Sequence, residues 1–199
     1  MDTSAEEDPA GERPVAVYDA NVLYPAQLRD FLMRLALQEA VRAHWTDKIH
    51  EEWMRNVEAD YPDISWEDLR RIRELMEKAL PGASIDGYED RIPELSLPDP
   101  SDRHVLAAAI RAEAGYILTF NVADFPDEAL APHGIESIDP DVFTSELIGR
   151  FPGRVLQAAR AHRASLNHPP KSQGEYLSLL EESGLEETAR WLSGRKNEI

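Results

Sequence analysis

The sequence predicts an α/β fold, three layers built on a central parallel sheet, followed by a helical C-terminal extension. Short apolar runs rich in β-branched residues, Val15–Tyr18 and Tyr116–Thr119, are too brief for helices and read as strands. Between them lie segments with apolar residues at three- and four-residue spacing, the pattern of strand–helix–strand crossovers and so of parallel pairing. Past Phe151-Pro152-Gly153 the strand signals stop and only helical patterns remain.

The elements follow in order. Met1 to Pro14 is acidic, contains Pro and Gly and lacks periodicity, so a disordered tail is expected. Val15–Tyr18 is the first strand, ending on Asp19. Pro25 suits the first turn of a helix running to about Val41, with Leu28, Phe31, Leu32, Leu35 and Ala36 on its inward face. Ala43–Thr46 is a short strand, and Thr46 can cap a second helix reaching about Ala59. Ser65-Trp66-Glu67-Asp68 has the spacing of a capping box, opening a third helix with the stripe Leu69, Ile72, Leu75, Met76 and Leu80 before Pro81-Gly82 stops it.

Ala83–Ile85 is a further candidate strand, and Tyr88–Pro98 is irregular. Asp99 fits an N-cap with Pro100 at the first helical position, and the alanine-rich run that follows is strongly helical. Gly115 is expected to end that helix. Ile135–Ile138 reads as an edge strand, and Pro140 opens a helix through about Gly149. Three helices complete the chain, Arg154–Leu166, Ser172–Glu182 and Leu185–Gly194. Their Tyr176, Leu177, Leu179, Leu180, Leu185 and Trp191 are too few for a separate core, so they should dock on the preceding domain or on a partner. The boundaries implied are a tail over 1–14, an α/β domain over 15–150 and an extension over 151–199.

Composition narrows the chemistry. A chain of 199 residues with 42% hydrophobic content can bury one good-sized core plus an appendage. It has no cysteine, which excludes disulfides, thiolate zinc sites and sulfur nucleophiles. No long apolar stretch or secretory leader is seen, so a cytoplasmic protein without a membrane partner is expected. The formal charge of −17 argues against nonspecific nucleic-acid binding. Yet Leu147–Gly174 holds no acid while carrying Arg150, Arg154, Arg160, Arg163 and Lys171, which is either a phosphate-facing surface or an ordinary solvated face.

Three acids stand where a parallel sheet would gather them. Asp19 lies at the carboxyl end of the first strand, the edge where open α/β sheets bind ligands. Asp102 falls on the stripe with Val105, Leu106, Ala109 and Ile110, and a buried unpaired carboxylate there would be costly. Each also has a plainer reading: Asp19 as a helix-capping turn residue, Asp102 as a capping-box acid reaching back to Asp99. The third acid is on the Thr46 helix, where Glu52 sits nearer the inward stripe than Glu51. Three carboxylates meeting at one edge repel unless a cation lies among them, and oxygen ligands without cysteine suit Mg²⁺ or Mn²⁺.

The stretches Val-Tyr-Asp-Ala-Asn-Val-Leu-Tyr, Glu-Glu-Trp, Asp-Pro-Ser-Asp-Arg-His-Val-Leu-Ala-Ala-Ala and Ile-Leu-Thr-Phe-Asn-Val-Ala-Asp-Phe-Pro resemble the four signature blocks of PIN domains. The order and spacing are similar from Val15 to about Arg150. The His-Pro-Pro…Glu-Tyr-Leu pattern after His168 is similar to the C-terminal extension of one subgroup of VapBC toxin ribonucleases.

The resemblance implies a PIN-like fold and a Mg²⁺- or Mn²⁺-dependent endoribonuclease. By the same resemblance, Asp19, Glu52 and Asp102 are the catalytic acids, with Asp19 and Asp102 on the metal. Asn21 and Thr119 would support the metal or its water. Many PIN domains carry a further aspartate where Asn121 stands here, leaving Asp124 or a water held by Asn121 as the fourth ligand. An RNA substrate, a small cognate antitoxin and a homodimer are implied as partners. Arg103 and the basic window Arg150, Arg154, Arg160, Arg163 and Lys171 would grip RNA phosphates. Two rivals are weighed: a PIN-like module that binds RNA or protein without cutting, and a haloacid-dehalogenase-type phosphatase. The phosphatase needs a second acid two residues past Asp19, where Asn21 stands.

Overall fold

The computed structural model describes residues 13–199, so the expected tail lies outside the described residues except for Arg13 and Pro14. Four strands, β1 (Val15–Tyr18), β2 (Arg42–His44), β3 (Tyr116–Leu118) and β4 (Glu136–Ile138), form one sheet in the order β2-β1-β3-β4, parallel throughout. β1 is central because it is the most apolar strand, with Ala16, Val17 and Tyr18 wholly buried. The chain steps from β1 to β2 on one side and returns to β3 on the other. Right-handed crossovers therefore place the intervening helices on opposite faces, giving three layers.

After β1 the chain makes a short helix α1 (Ala20–Leu23) and then α2 (Ala26–Leu37), with Pro25 at the N-cap. Leu28, Phe31, Leu32 and Leu35 are fully buried, as their spacing requires. α2 stops at Leu37, short of the expected Val41. Glu39 adopts φ +60°, and the Glu39 and Ala40 amides donate back to the Ala36 and Leu35 carbonyls, closing a Schellman turn. The helix that follows Asp99 ends in the same way. It begins as a 3₁₀ turn (Pro100–Asp102), continues as α5 (Arg103–Arg111), and is closed by Glu113 at φ +52° rather than by Gly115. Two glutamates thus take a position that glycine usually fills, and composition gave no sign of it.

α3 (Asp47–Asp60) is capped by Thr46, whose side chain accepts from the Ile49 amide, and α4 (Trp66–Ala79) by the expected Ser65–Asp68 capping box. Leu69 and Met76 of α4 are buried, but Leu75 of the same stripe is 58% exposed, because α4 packs on α3 at the margin of the domain. Ala83–Ile85 forms only a single parallel bridge, Ser84 to Trp45, instead of a strand. A one-turn helix α6 (Asp127–Leu130) leads to β4 and then α7 (Pro140–Arg150).

The C-terminal helices α8 (Pro152–Ser165), α9 (Gln173–Glu182) and α10 (Glu186–Ser193) dock on the same chain. α8 lies along α2, where the buried His162 ring sits between Phe31 and Tyr176. Burial pushes that imidazole down to about 4, so it is neutral at physiological pH. α10 is anchored through Asp141 at the start of α7. Its carboxylate accepts from the Glu187 amide at 2.7 Å and from the Thr188 amide and hydroxyl at 2.9 and 2.7 Å. That is a carboxylate on a helix N-terminus, doubly favoured by the bonds and by the dipole. Among the described residues no helix is long and apolar enough to cross a membrane.

Asp141→Ala leaves three donors without an acceptor in a buried joint. It should lower the unfolding free energy by about 3 kcal/mol in urea denaturation, and a change within about 0.5 kcal/mol would show that the extension is not held there.

Candidate active site

The site is built where β1 and β3 end side by side. The chain reverses direction across the sheet at this point, so the carboxyl ends of these two strands open a crevice. The Asp19 amide donates to the Leu118 carbonyl at 3.0 Å, which extends the ladder by one residue and fixes the acid at the lip. Asp19 Oδ1 accepts from the Ala20 amide at 2.7 Å, so the plainer capping role is real. Its Oδ2 accepts from the Thr119 hydroxyl and from Asn21 Nδ2, both at 2.8 Å.

Thr119 and Asn21 are themselves fully engaged. Asn21 Nδ2 also donates to Thr119 Oγ1 at 2.8 Å, the Asn121 amide donates to the same hydroxyl at 3.0 Å, and Asn21 Oδ1 accepts the Phe120 amide at 3.1 Å. Thr119 and Asn21, expected to support a metal or its water, both bond to Asp19 and orient it. A carboxylate has about four acceptor positions, of which three are used. The fourth is free on an oxygen held rigidly at the crevice. Burial raises the Asp19 pKa, the Thr119 and Ala20 hydrogen bonds lower it, Glu52 raises it and His104 lowers it, with a net upward shift.

The cap at Asp99 is made by its own carboxylate, which accepts the Ser101 amide at 2.8 Å, with no return bond from the Asp102 side chain, so the capping-box alternative does not describe Asp102. Its carboxyl is half-buried and is pushed up to about 6, first by burial and then by the charges of Asp19, Asp99 and Asp124. These acids therefore do converge electrostatically, and Asp124 is the member of the Asn121–Asp124 turn whose charge reaches Asp102. Asn121 is exposed.

Glu52 on α3 points to the same region. Its Oε1 lies 3.0 Å from Nε2 of His104, which is 1% exposed, and 3.8 Å from the Lys48 ammonium. His104 was not legible as a site residue. A polar side chain two positions past Asp102 on an apolar helix was its only mark, and its partner comes from a segment far away in sequence.

The ion expected here can be tested against these side chains. Among the described residues no three carboxylate or imidazole groups stand close enough to enclose a metal unaided. Mg²⁺ rarely needs that. It keeps several waters and is held by one or two carboxylates together with substrate phosphate oxygens. An unused acceptor on Asp19, together with an Asp102 carboxyl raised by burial and by the charges of Asp19, Asp99 and Asp124, fits such a two-carboxylate seat.

The structure does not bring the expected basic window to these acids. Arg150 and Arg154 flank the Phe151 ring, their guanidinium carbons 5.2 and 5.0 Å from its centroid, and Arg154 donates to the Glu39 carbonyl at 2.7 Å. Glu39 precedes β2, so this pair sits at the amino edge of the sheet, opposite Asp19. Arg160 donates to the Glu198 carbonyl, and Arg163 to the Lys171 and Ile199 carbonyls at 3.0 and 2.7 Å. Those arginines brace the C-terminal segment. Arg103 follows Asp102 directly and is half-buried, with Nε lacking a partner.

A four-stranded parallel sheet with acids collected at its carboxyl edge defines a doubly wound α/β domain with an acid-lined crevice. The family model described as PIN domain matches residues 15–123, and this chain belongs to that family. A second model, described as VapC50 C-terminal domain, matches residues 140–194. The chain is also 47% identical over 57 residues to a Mycobacterium tuberculosis (strain ATCC 25618 / H37Rv) protein named "Putative ribonuclease VapC50", a stretch covering 29% of this chain and 33% of that protein. The match thus spans about a third of that relative. No solved structure matches the chain.

Thr119→Val removes the hydroxyl that joins Asp19, Asn21 and Asn121 in a fully buried position. It should cost about 3 kcal/mol in urea unfolding, whereas Thr119→Ser should recover most of it.

Proposed function

We propose that this chain is a divalent-metal-dependent endoribonuclease that hydrolyses RNA phosphodiester bonds, and the toxin of a toxin–antitoxin pair acting in the cytoplasm. The observation that carries this is Asp102, a carboxyl raised to about 6 by burial and by the charges of a rigidly held Asp19 and of Asp99 and Asp124. Such a group is poised for a cation. The PIN family membership, the VapC50 C-terminal match and the relative's printed name all point the same way.

Asp19 and Asp102 would hold Mg²⁺ or Mn²⁺, with Asp124 adding charge behind Asp102. The ion, when bound, supplies Lewis-acid polarisation of the phosphate and acidifies water. Thr119 and Asn21 hold Asp19 in one orientation, so no reorganisation is needed as charge develops. Glu52, kept in place by His104, is the acid left to accept a proton from water, since Asp19 and Asp102 would be taken up by the ion. Arg103 lies beside Asp102 and can meet a phosphate flanking the scissile bond. A small antitoxin and a second copy of the chain are the partners this reading carries.

A module that binds RNA or protein without cutting is the second reading. The looseness of the acid cluster and Asn121 at the place of a common fourth ligand favour it. Cleavage separates the two. Wild-type protein with Mn²⁺ should cut single-stranded RNA, EDTA should abolish cutting, and Asp19→Asn or Asp102→Asn should lower the rate by at least about 100-fold. Full metal-dependent cleavage by either variant would overturn the assignment.

The pH dependence has a definite sign. Asp102 is raised in the folded state, so below about pH 6 a cation must displace its proton and binds more weakly. Metal-dependent cleavage should therefore rise with pH through about 6. In the absence of metal, the same raised carboxyl makes the fold less stable as pH climbs from the ordinary carboxylate range to about 6. Asp102→Asn should remove that decline, as thermal melting between pH 4 and 7 can check.

A further inference from the structure

We propose that Phe120 is a nucleobase-stacking platform at the mouth of the crevice, and that the C-terminal extension holds it there. The inference rests on the ribonuclease reading and adds how RNA is gripped. Phe120 follows Thr119 directly at the end of β3, and its amide is bonded to the Asn21 side chain that orients Asp19. It is one hydrogen-bonded residue away from the acid. Despite its size it is 38% exposed, and Val122 beside it is 40% exposed, which leaves apolar surface accessible next to the polar cluster around Asp19.

The ring is nonetheless positioned. The turn after α9 closes as a Schellman motif, with the Gly184 amide on the Glu181 carbonyl and the Leu185 amide on the Leu180 carbonyl. Gly184 has φ +82°, and a Cβ there would lie 3.3 Å from Cε1 and 3.5 Å from Cζ of Phe120. One edge of the ring therefore rests against the glycine, and Phe120 stays partly open to solvent. Asp141 fixes the N-terminus of α10 two residues further on, so the support is anchored to the sheet domain.

Electrostatics favours such a contact beside Arg103, the arginine this reading sets against a phosphate. RNA approaching Asp19, Asp99, Asp102 and Asp124 meets negative charge, and the arginines of the basic window are committed to the opposite sheet edge and to the C-terminal backbone. Stacking on an aromatic face is indifferent to that field and tolerates any base sequence. It is also the usual way in which single-stranded RNA is held by proteins. The extension then serves the site by forming one wall of the place where a base next to the scissile phosphate lies.

Two measurements test this with the full chain. In EDTA, a single-stranded RNA decamer containing 2-aminopurine is titrated with wild type, Phe120→Ala, Phe120→Leu and Phe120→Trp. In Mn²⁺, the KM and kcat of each are read on a fluorogenic RNA. Wild type and Phe120→Trp should quench 2-aminopurine, while Phe120→Ala and Phe120→Leu lose the quenching and raise KM about tenfold with a smaller change in kcat. Leucine keeps the apolar contact with Gly184 but has no flat face, so it separates stacking from packing, and matching melting temperatures confirm intact folding. If Phe120→Leu binds and cleaves as wild type does, the proposal fails. It fails equally if Phe120 substitutions leave RNA untouched and weaken only the binding of a protein partner. Quenching by a wild type that cannot cleave RNA would keep the platform and overturn the nuclease reading instead.

Discussion

The hydrogen bond from Thr119 to Asp19 is the constraint on which the rest of this site depends. It ties the carboxyl ends of the two central strands together through side chains, just beyond the point where the backbone ladder ends. Without it Asp19 would be a mobile acid at a strand end. With Asn21 closing the triangle, its carboxylate has one orientation and a single unused acceptor. Everything else at the crevice is arranged around that fixed point, including the backbone of Phe120 and Asn121, whose amides bind the same polar cluster.

The acids beyond it are held differently. Glu52 is anchored by a buried histidine, whereas Asp102 has no anchor and is raised by its neighbours. One rigid carboxylate and one strained carboxylate suit an ion that arrives with its own waters and shares a substrate phosphate. They would suit poorly an ion that needs a closed cage. The extension enters through two contacts made at the same end of the sheet, Asp141 on α10 and Gly184 on Phe120. The arginines of the basic window, by contrast, meet the other edge or the C-terminal segment.

Much of this was legible in the chain. The apolar runs ending in Asp19 and Thr119 gave the central strands, and the Ser65–Asp68 capping box and Thr46 cap lie where spacing put them. The convergence of Asp19, Glu52 and Asp102 followed from placing each at the carboxyl edge. What was not legible depends on contacts distant in sequence. His104 could not be paired with Glu52 by any local rule, and the arginines of the basic window looked free until the Glu39 and C-terminal carbonyls met them. The helix ends at Glu39 and Glu113 carried no local signal, because each takes a left-handed conformation for which glutamate has no intrinsic preference.

Calorimetric titration of Mn²⁺ into the RNA-free protein, with Asp19→Asn and Asp102→Asn alongside, addresses the cation directly. Binding at about pH 7.5 is expected for wild type, weakened at least about tenfold in each variant because each removes one of the two anionic ligands. Manganese binding that is absent from wild type, or equal in all three proteins, would contradict a carboxylate-held ion at the end of β1.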